Sequence, residues 1–351
     1  MSHPTQARRG LFSGRTLRSA ALLAVLAGGA PFLCLLPGFG PQNAPANQAA
    51  PAGPTAPPAA ATAAPAPAQD PLLLWDSASG SLQTVPVTAY LIGAAACEMP
   101  IDWPDDALRA QMVASHSYIL YQKEHGSRAE GQGYLTVNSD QCSGWTTQAV
   151  LESRWGDAYA ANYARLAGLA AGVQYDVLLY GGAPAAACYH AVSCGRTEAS
   201  QRVWVETLPY LQGVESAWDK DAEDYEVTVQ YTSQQLYDAL AMNLGVTPTG
   251  GPEGWVGDAS WDDAGYVARI RLCGQWFSGA EVRAALSLRS ACFAIAWRDG
   301  AFAVTTRGYG HGVGMSQAGA RAMARGGAGW REILAYYFPG TVLGQFPEST
   351  Q

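Results

Sequence analysis

The sequence predicts an α+β fold, with a single mixed domain over residues 71–351. Residues 87–171 carry apolar side chains at helical spacing. From residue 173 onward, short segments in which apolar and polar side chains alternate are separated by turn residues. No internal repeat divides this region. The chain has 351 residues and a hydrophobic content of 48%, so it is long enough to bury a substantial core.

The first 39 residues have the pattern of a membrane-targeting segment. Four arginines and no acidic residue accompany an apolar run over residues 19–39. The run is about long enough to span a bilayer, and an arginine-rich flank stays cytoplasmic. We expect residues 1–18 to be cytoplasmic, residues 19–39 to anchor the chain in the cell membrane, and the rest to lie outside it. A cleaved signal peptide is the alternative, and it would make the protein secreted.

Residues 40–70 are predicted to form a disordered Pro/Ala-rich linker. Between residues 41 and 69 the chain has no charged and no aromatic side chain, so it cannot bury enough apolar surface to fold. Its many prolines favour an extended spacer between the anchor and the folded domain.

The charge balance excludes nucleic acid as a partner. Beyond residue 39 the chain has 17 basic and 29 acidic residues, and its only lysines are Lys123 and Lys220. Phosphate recognition requires clustered basic residues, which this composition does not supply.

Seven cysteines are present, and six of them follow the predicted membrane segment. Their spacing alone does not pair them. Cys188 and Cys194, with His190 between them, suit either a disulfide outside the cytoplasm or a metal site. Both interpretations remain open at this stage.

Two prolines set the boundaries of the first predicted helices. An apolar, Ala-rich helix begins at Val87 and stops near Met99, because the residue before Pro100 disfavours the helical conformation. Glu98 therefore lies at a helix end. A second helix begins at Asp105, behind Pro104, and runs to about His125.

The rest of the chain is predicted to contain further helices and a series of short strands. The predicted helices are Asp157–Ala171, Gln234–Leu244 and Gly279–Leu286. The predicted strands are Val173–Tyr180, Ala187–Ser193, Tyr225–Tyr231, Tyr266–Leu272 and Phe293–Arg298.

The most informative stretch is Arg307–Gly327, in which glycines alternate with other residues from Gly308 to Gly314. Glycines at this spacing suit backbone that turns tightly or approaches a ligand closely, and they hold His311 in a loop. A tight loop with a structural histidine is the alternative. Ser316 is placed to cap a helix that continues through Ala324.

This stretch carries a resemblance to a known family. Tyr309–Ala320 (YGHGVGMSQAGA) and Ile333–Thr341 (ILAYYFPGT) resemble the C-terminal signature of the SpoIID/LytB family, named after stage II sporulation protein D. Further matches follow in the family's order: Tyr90–Pro100 (YLIGAAACEMP), Trp103–Gln111 (WPDDALRAQ), Tyr189–Thr197 (YHAVSCGRT) and Arg289-Ser290. The resemblance covers nearly all of the predicted domain.

The resemblance implies a peptidoglycan lytic transglycosylase in which the glutamate of the Glu-Met-Pro motif is essential. That glutamate is Glu98 here. One carboxyl group suffices for this chemistry, because it protonates the glycosidic oxygen and then takes a proton from the muramic 6-hydroxyl. Ordinary glycosidases use a pair of carboxylates instead. No cofactor is required for this reaction. A helix-end glutamate that satisfies a backbone donor is the structural alternative.

The resemblance also implies substrate contacts on the second helix. Arg109 matches a position that is usually basic in the family, where a cation could contact the substrate or act on Glu98. His116 stands where the family pattern places arginine. Its charge would depend on pH near neutrality, so we expect either a substrate-contacting cation or a neutral, packed imidazole.

The other implied substrate-binding residues lie in the signature loops: Ser193, Arg196, Thr197, His311, Ser316 and Gln317. Some members of the family are implied to hold a structural zinc near the Tyr189–Thr197 segment. Cys188, His190 and Cys194 would be its ligands here, with Cys142 as a fourth.

Two functions from other classes remain. One is a zinc-dependent wall amidase or peptidase built from His190, His311, a cysteine and Glu98. The other is a catalytically silent wall-binding scaffold. Family membership further implies peptidoglycan glycan strands as substrate and an amidase partner of the stage II sporulation protein P type, in septal wall remodelling during engulfment.

Overall fold

The computed structural model of the chain describes residues 69–126, 133–204 and 206–346. The predicted anchor, residues 19–39, and almost all of the predicted linker lie outside these residues. Within the described ranges, no helix combines the length and the apolar character needed to cross a membrane.

The described residues form a mixed α+β structure, which confirms the predicted fold class. In chain order, the α-helices are α1 (Val87–Glu98), α2 (Asp105–His125), α3 (Gln148–Trp155), α4 (Tyr159–Val173), α5 (Ser200–Val203), α6 (Ser233–Ala239), α7 (Gly279–Ala285), α8 (Gln317–Arg325) and α9 (Trp330–Tyr337). Short 3-10 turns cover Gly156–Ala158, Ala217–Asp221 and Pro252–Gly254, and a π turn covers Leu240–Leu244.

The strands are short. In chain order they are β1 (Leu72–Asp76), β2 (Ser81–Val85), β3 (Leu135–Val137), β4 (Asp176–Tyr180), β5 (Ala183–Pro184), β6 (Tyr189–His190), β7 (Glu226–Tyr231), β8 (Val256–Trp261), β9 (Val267–Leu272), β10 (Gln275–Phe277), β11 (Phe293–Arg298), β12 (Ala301–Arg307), β13 (Met315–Ser316) and β14 (Val342–Gln345).

Helix α2 is the centre of the first hydrophobic core. It packs against α1, α4, α8, α9 and β4, and its middle from Ala110 to Leu120 is buried on all sides. Acidic Asp105 and Asp106 lie in its first turn and basic Lys123 lies in its last, which matches the helix dipole at both ends. Three small sheets surround this core: β2-β1-β3, β14-β4-β5 and the parallel pair β13-β6.

Residues 226–307 build a second unit with its own core. Two antiparallel sheets, β11-β12-β7 and β10-β9-β8, enclose Leu272, Phe302 and Val304 together with helices α6 and α7. Each of these helices begins with a complete capping box, Thr232 with Gln235 and Ser278 with Glu281. The unit is inserted between the 3-10 turn at Ala217–Asp221 and the glycine-rich loop.

The predicted helices that end at Glu98 and His125 are confirmed at those positions. Three predictions were wrong in extent. The strand predicted from Val173 begins at Asp176, because Val173 still ends α4. The predicted strand Ala187–Ser193 is reduced to Tyr189–His190, since Val192 pairs with Tyr309 of the glycine loop instead.

The third correction concerns the helix predicted over Gln234–Leu244. It divides into α6, which ends at Ala239, and the π turn that follows it.

Candidate active site

Glu98 is the last residue of α1, and its side chain is buried. The following Met99 is extended at φ −134° and ψ 143°, as expected for the residue before a proline, so the helix ends there. The exposed fraction of Glu98 is 5%. A carboxyl group is rarely buried to this extent without a hydrogen-bond partner.

The partner of Glu98 comes from the other end of the sequence. The side-chain amide of Gln317 donates a hydrogen bond of 3.1 Å to Glu98 Oε2 and one of 3.2 Å to Gln111 Oε1. Gln111 in turn donates to Ser115, whose hydroxyl donates to Tyr189. A buried polar chain therefore joins α1, α2, β6 and α8, with the glutamate at one end.

Burial controls the protonation of Glu98. Loss of solvation raises the pKa of its carboxyl to about 8, although the hydrogen bond from Gln317 lowers it. Burial also raises the pKa values of Tyr90 and Tyr189, and the neighbouring charge of Glu98 is the second cause. Both phenols therefore stay neutral beside the glutamate. At neutral pH the site therefore holds a protonated carboxylic acid.

Asp219 holds the two signature segments together. Its carboxylate is fully buried and accepts hydrogen bonds from the backbone amide of Ser193 at 2.8 Å and from the hydroxyl of Ser316 at 2.9 Å. The Ser316 hydroxyl also caps α8, by accepting from the amide of Gly319. Asp219 thereby fixes the start of α8, where Gln317 is the first residue.

The glycine-rich loop lies against the segment 188–193. Gly310 has a φ of 114°, and a Cβ there would lie 2.7 Å from the Cβ of His190. The loop and the segment exchange backbone hydrogen bonds between Val192 and Tyr309. The glycines thus permit close approach of two backbones and fix α8 beside α1.

His311 is held inside this arrangement. Its Nδ1 accepts a hydrogen bond from the amide of Val313, and its ring lies tilted against those of Trp204 and His190, with ring centroids 5.2 Å and 5.7 Å away. Burial lowers the pKa of His190 to about 4 and that of His311 well below its usual range. Both imidazoles are therefore neutral at physiological pH.

The predicted loop residues have structural partners. Arg196 forms an ion pair with Glu215 and donates to the carbonyl of Gly213, whereas Thr197 accepts from the amide of Val214. These contacts, with those of Ser193, shape the loop beside α8. Of the predicted substrate-binding residues, the structure brings Gln317 into contact with Glu98, and Ser316 stands directly before it.

Arg109 does not act on Glu98. Its guanidinium pairs with Asp106 at 3.5 Å, one turn earlier on α2. The pKa of Glu98 is raised by burial and lowered by the hydrogen bond from Gln317. The ion pair of Arg109 in the described structure is therefore with Asp106, and its contact with substrate stays a prediction.

His116 is buried as a neutral imidazole, which corresponds to the second of the two expected forms. Its exposed fraction is 1%, and its Nδ1 lies 3.3 Å from the carbonyl of Asp176. Burial lowers its pKa to about 4. It borders a cavity beside Leu120 and Lys123, away from the polar chain at Glu98.

A His116→Arg variant is expected to lose roughly 3 kcal/mol of stability, because it places an unpaired charge in a buried site. The neutral imidazole stabilises the fold fully above pH 6.5, and this contribution is lost as the pH falls towards 4. Urea unfolding compared with the exposed control His125→Arg measures the loss. Equal stability of the two variants would contradict the assignment, as would a change in the alkaline part of the activity profile.

The predicted zinc ligands are not brought together. In the described part of the chain, no three His, Cys, Asp or Glu side chains are placed to hold a metal ion. Cys188 is a free thiol whose pKa burial raises to about 12, and the thiol of Cys194 donates to the carbonyl of Ala264 at 2.9 Å. These residues, as placed, do not fit a structural zinc, and Cys188 and Cys194 are not joined by a disulfide.

Cys142 forms a disulfide with Cys97 and is not a fourth ligand. This bond ties the last turn of α1, next to Glu98, to the loop after β3. The spacing of the cysteines in the sequence does not by itself predict this pairing.

Sequence reasoning missed Gln111, Asp219 and Arg321. Gln111 and Asp219 are ordinary polar residues in the sequence, and only their burial reveals their role. Arg321, one turn after Gln317, lies 4.9 Å over the ring of Trp103, which follows Glu98 by five positions. The pair thus places a cation on α8 and an aromatic ring on the connection between α1 and α2, and these helices carry the polar chain.

Comparison with known proteins identifies relatives of this chain. The family model SpoIID, described as stage II sporulation protein, matches residues 76–168. Stage II sporulation protein D of Bacillus subtilis is 31% identical over 274 residues, which cover 78% of each chain. The protein of the same name from Bacillus amyloliquefaciens is 30% identical over 274 residues, again 78% of each chain.

A more distant relative is the amidase enhancer of Bacillus subtilis. It is 24% identical over 301 residues, which cover 70% of this chain and 39% of that protein. From the extent and identity of the matches with the two Bacillus proteins above, the chain belongs to the stage II sporulation protein D family.

Proposed function

We propose that the chain is a lytic transglycosylase that cleaves peptidoglycan glycan strands between N-acetylmuramic acid and N-acetylglucosamine. The observation that carries this proposal is Glu98, a buried carboxyl group with a pKa of about 8. Such a group is protonated at neutral pH and can donate its proton to a leaving group. The names of the relatives support a setting in sporulation-related wall remodelling.

Glu98 acts twice in the proposed reaction. Its proton passes to the glycosidic oxygen while the bond from that oxygen to the muramic anomeric carbon breaks. The resulting carboxylate then takes the proton of the muramic 6-hydroxyl as O6 attacks the same carbon. The products are a 1,6-anhydromuramic end and a free N-acetylglucosamine hydroxyl, and Glu98 regains its proton.

The surroundings of Glu98 favour this reaction over one with paired carboxylates. Glycosidases with two carboxyl groups hold them about 5–9.5 Å apart across the bond that is cleaved. Among the described residues, the hydrogen-bond partner of Glu98 is an amide, and no second carboxylate contributes to its pKa. Gln317 donates to the ionised form, so it stabilises the carboxylate that forms during the reaction.

The domain would act outside the membrane. The predicted anchor over residues 19–39 and the linker over residues 40–70 place the folded part in contact with the wall. Trp103 and Arg321 are candidates for glycan contacts, because an aromatic face and a cation suit sugars that carry acidic peptides.

A second candidate is a protein that assists a wall amidase, with or without cleavage of its own. The similarity to a protein named amidase enhancer favours it. It also agrees with the partner that the family resemblance implies, an amidase of the stage II sporulation protein P type.

Analysis of the products released from purified sacculi tests the proposal. The transglycosylase is expected to release fragments that end in 1,6-anhydromuramic acid, from intact or from peptide-stripped strands. The reaction should persist in the presence of a chelator. Release of free stem peptides that stops with chelation would indicate a metal amidase instead, and no product without an added amidase would indicate the assisting role.

A further inference from the structure

Two free thiols meet where the two units of the chain join. Cys194 lies in the Tyr189–Thr197 signature segment, and Cys292 directly precedes β11 of the inserted unit. Cys292 is buried with Ala264 and Tyr266, and Cys194 packs against this cluster. Each thiol acts on the pKa of the other, which is raised for Cys194 and lowered for Cys292.

Hydrogen bonds hold the backbone on the Cys194 side of this contact. The carbonyl of Cys194 accepts from the hydroxyl of Tyr225 at 3.0 Å, and its amide donates to the hydroxyl of Tyr266 at 3.4 Å. Next to it, a Cβ on Gly265 would lie 3.2 Å from the Cys194 sulfur. A side chain larger than glycine would therefore crowd this thiol.

The backbone of Cys292 is held equally well. Its amide donates to Ser290 Oγ at 2.8 Å, and its carbonyl accepts from the amide of Arg307 at 2.8 Å. Both cysteines thus lie in one cluster, on backbone that hydrogen bonds hold, and such proximity is what a disulfide requires.

We propose that Cys194 and Cys292 form a disulfide bond that joins the signature segment to the inserted unit. The oxidant is the disulfide of a thiol–disulfide exchange protein, or of oxidised glutathione in the test tube. One thiol of the pair loses its proton and attacks the oxidant as a thiolate, which releases the first thiol of the oxidant; the other cysteine then attacks the mixed disulfide at the sulfur of its partner and displaces the second. Two protons and two electrons pass from the pair to the oxidant, and one sulfur–sulfur bond is gained as another is lost.

Two observations favour this pairing. The same chain carries the disulfide between Cys97 and Cys142, which persists in an oxidising compartment. The thiol of Cys194 also contacts Cys292, whereas Cys188, its neighbour in sequence, does not take part in this cluster. The inference does not depend on glycan cleavage.

Disulfide mapping of the exported full chain tests the proposal. The chain is unfolded in the presence of N-ethylmaleimide, so that buried thiols are blocked as they become exposed, and it is then digested without reduction by trypsin and chymotrypsin. Chymotrypsin cleaves after Tyr189 and so separates Cys188 from Cys194. We expect one peptide pair joined through Cys194 and Cys292 in addition to the pair joined through Cys97 and Cys142.

Three results would overturn the proposal. The first is recovery of Cys194 and Cys292 in blocked form from molecules in which the Cys97–Cys142 bond is intact. The second is a bond between Cys188 and Cys194, and the third is a native mass with zinc held by these thiols. The control Cys273→Ser, which alters a free thiol in the turn between β9 and β10, should leave the cross-link unchanged.

Thermal unfolding gives an independent measurement. Either Cys194→Ala or Cys292→Ala removes the bond, so each single variant and the double variant should unfold at the same temperature, about 5–10 °C below the wild type without reductant. Losses that add in the double variant would show that the two side chains contribute separately and would overturn the proposal.

Discussion

A Glu98→Gln variant is expected to lose glycan cleavage by about two to four orders of magnitude, because an amide cannot donate and regain the proton. The amide keeps the shape of the carboxyl group and can still accept the hydrogen bond from Gln317. Release of anhydromuropeptides from sacculi measures the loss. Activity near that of the wild type would remove Glu98 from the mechanism.

The same substitution is expected to stabilise the fold. Burial raises the pKa of Glu98 from 4.5 to about 8, so the native state retains a proton that the unfolded state releases. The contribution of this carboxyl to stability therefore falls as the pH rises from 4.5 to about 8. Glutamine stays neutral, and at pH 7 the gain has an upper limit of roughly 3 kcal/mol.

Urea unfolding of both proteins at several pH values tests this gain. The difference in stability should be smallest near pH 5 and should grow towards pH 8. An exposed control, Glu152→Gln on α3, should show no such trend. Wild-type activity should decline above about pH 8, where the general acid loses its proton. A stability difference that is independent of pH would contradict the raised pKa.

The second large effect is expected at Asp219. Asp219→Ala leaves the buried amide of Ser193 and the hydroxyl of Ser316 without their acceptor. Two buried donors without an acceptor lower the free energy of unfolding by roughly 2–6 kcal/mol together. Activity should fall as well, because Ser316 caps α8 and α8 carries Gln317 to the glutamate.

The pH profile of the milder variant Asp219→Asn distinguishes positioning of Gln317 from a general loss of stability. The hydrogen bond from Gln317 lowers the pKa of Glu98, so its displacement raises that pKa and moves the alkaline decline of activity to higher pH. Tyr337→Phe removes a buried hydroxyl from the adjacent Ser216 and serves as the control. An alkaline decline that coincides in wild type and Asp219→Asn would leave Asp219 with a purely structural role.

The sequence predicted those parts of the fold that are determined locally. Prolines 100 and 104 set the boundaries of α1 and α2, and Ser316 marked the start of α8, because caps and prolines act within one turn. Strand β6 was overestimated because its extent depends on pairing with a loop more than a hundred residues away. Such pairing leaves no periodic signal in the segment itself.

The sequence predicted those residues of the candidate site for which a matched motif implies a role. The resemblance identified Glu98 and Gln317, and the structure joins them. Asp219 lies outside every matched motif and Gln111 ends one without a role assigned to it, so the importance of both follows from burial among partners that are distant in sequence. For His116 the family position left a cation and a packed imidazole open, and its burial favours the neutral imidazole.

The hydrogen bond between Glu98 and Gln317 spans 219 positions of the sequence. A chain that is synthesised and exported from its N-terminus presents the glutamate long before its amide partner has crossed the membrane. Until α8 arrives, α1 and α2 lack the surface that buries the carboxyl group, and an exposed glutamate ionises at its ordinary acidic pKa. In the proposed reaction the acid form of Glu98 is therefore acquired only when α8 has brought Gln317 to the glutamate, so cleavage of the wall would begin only after the whole domain has been delivered.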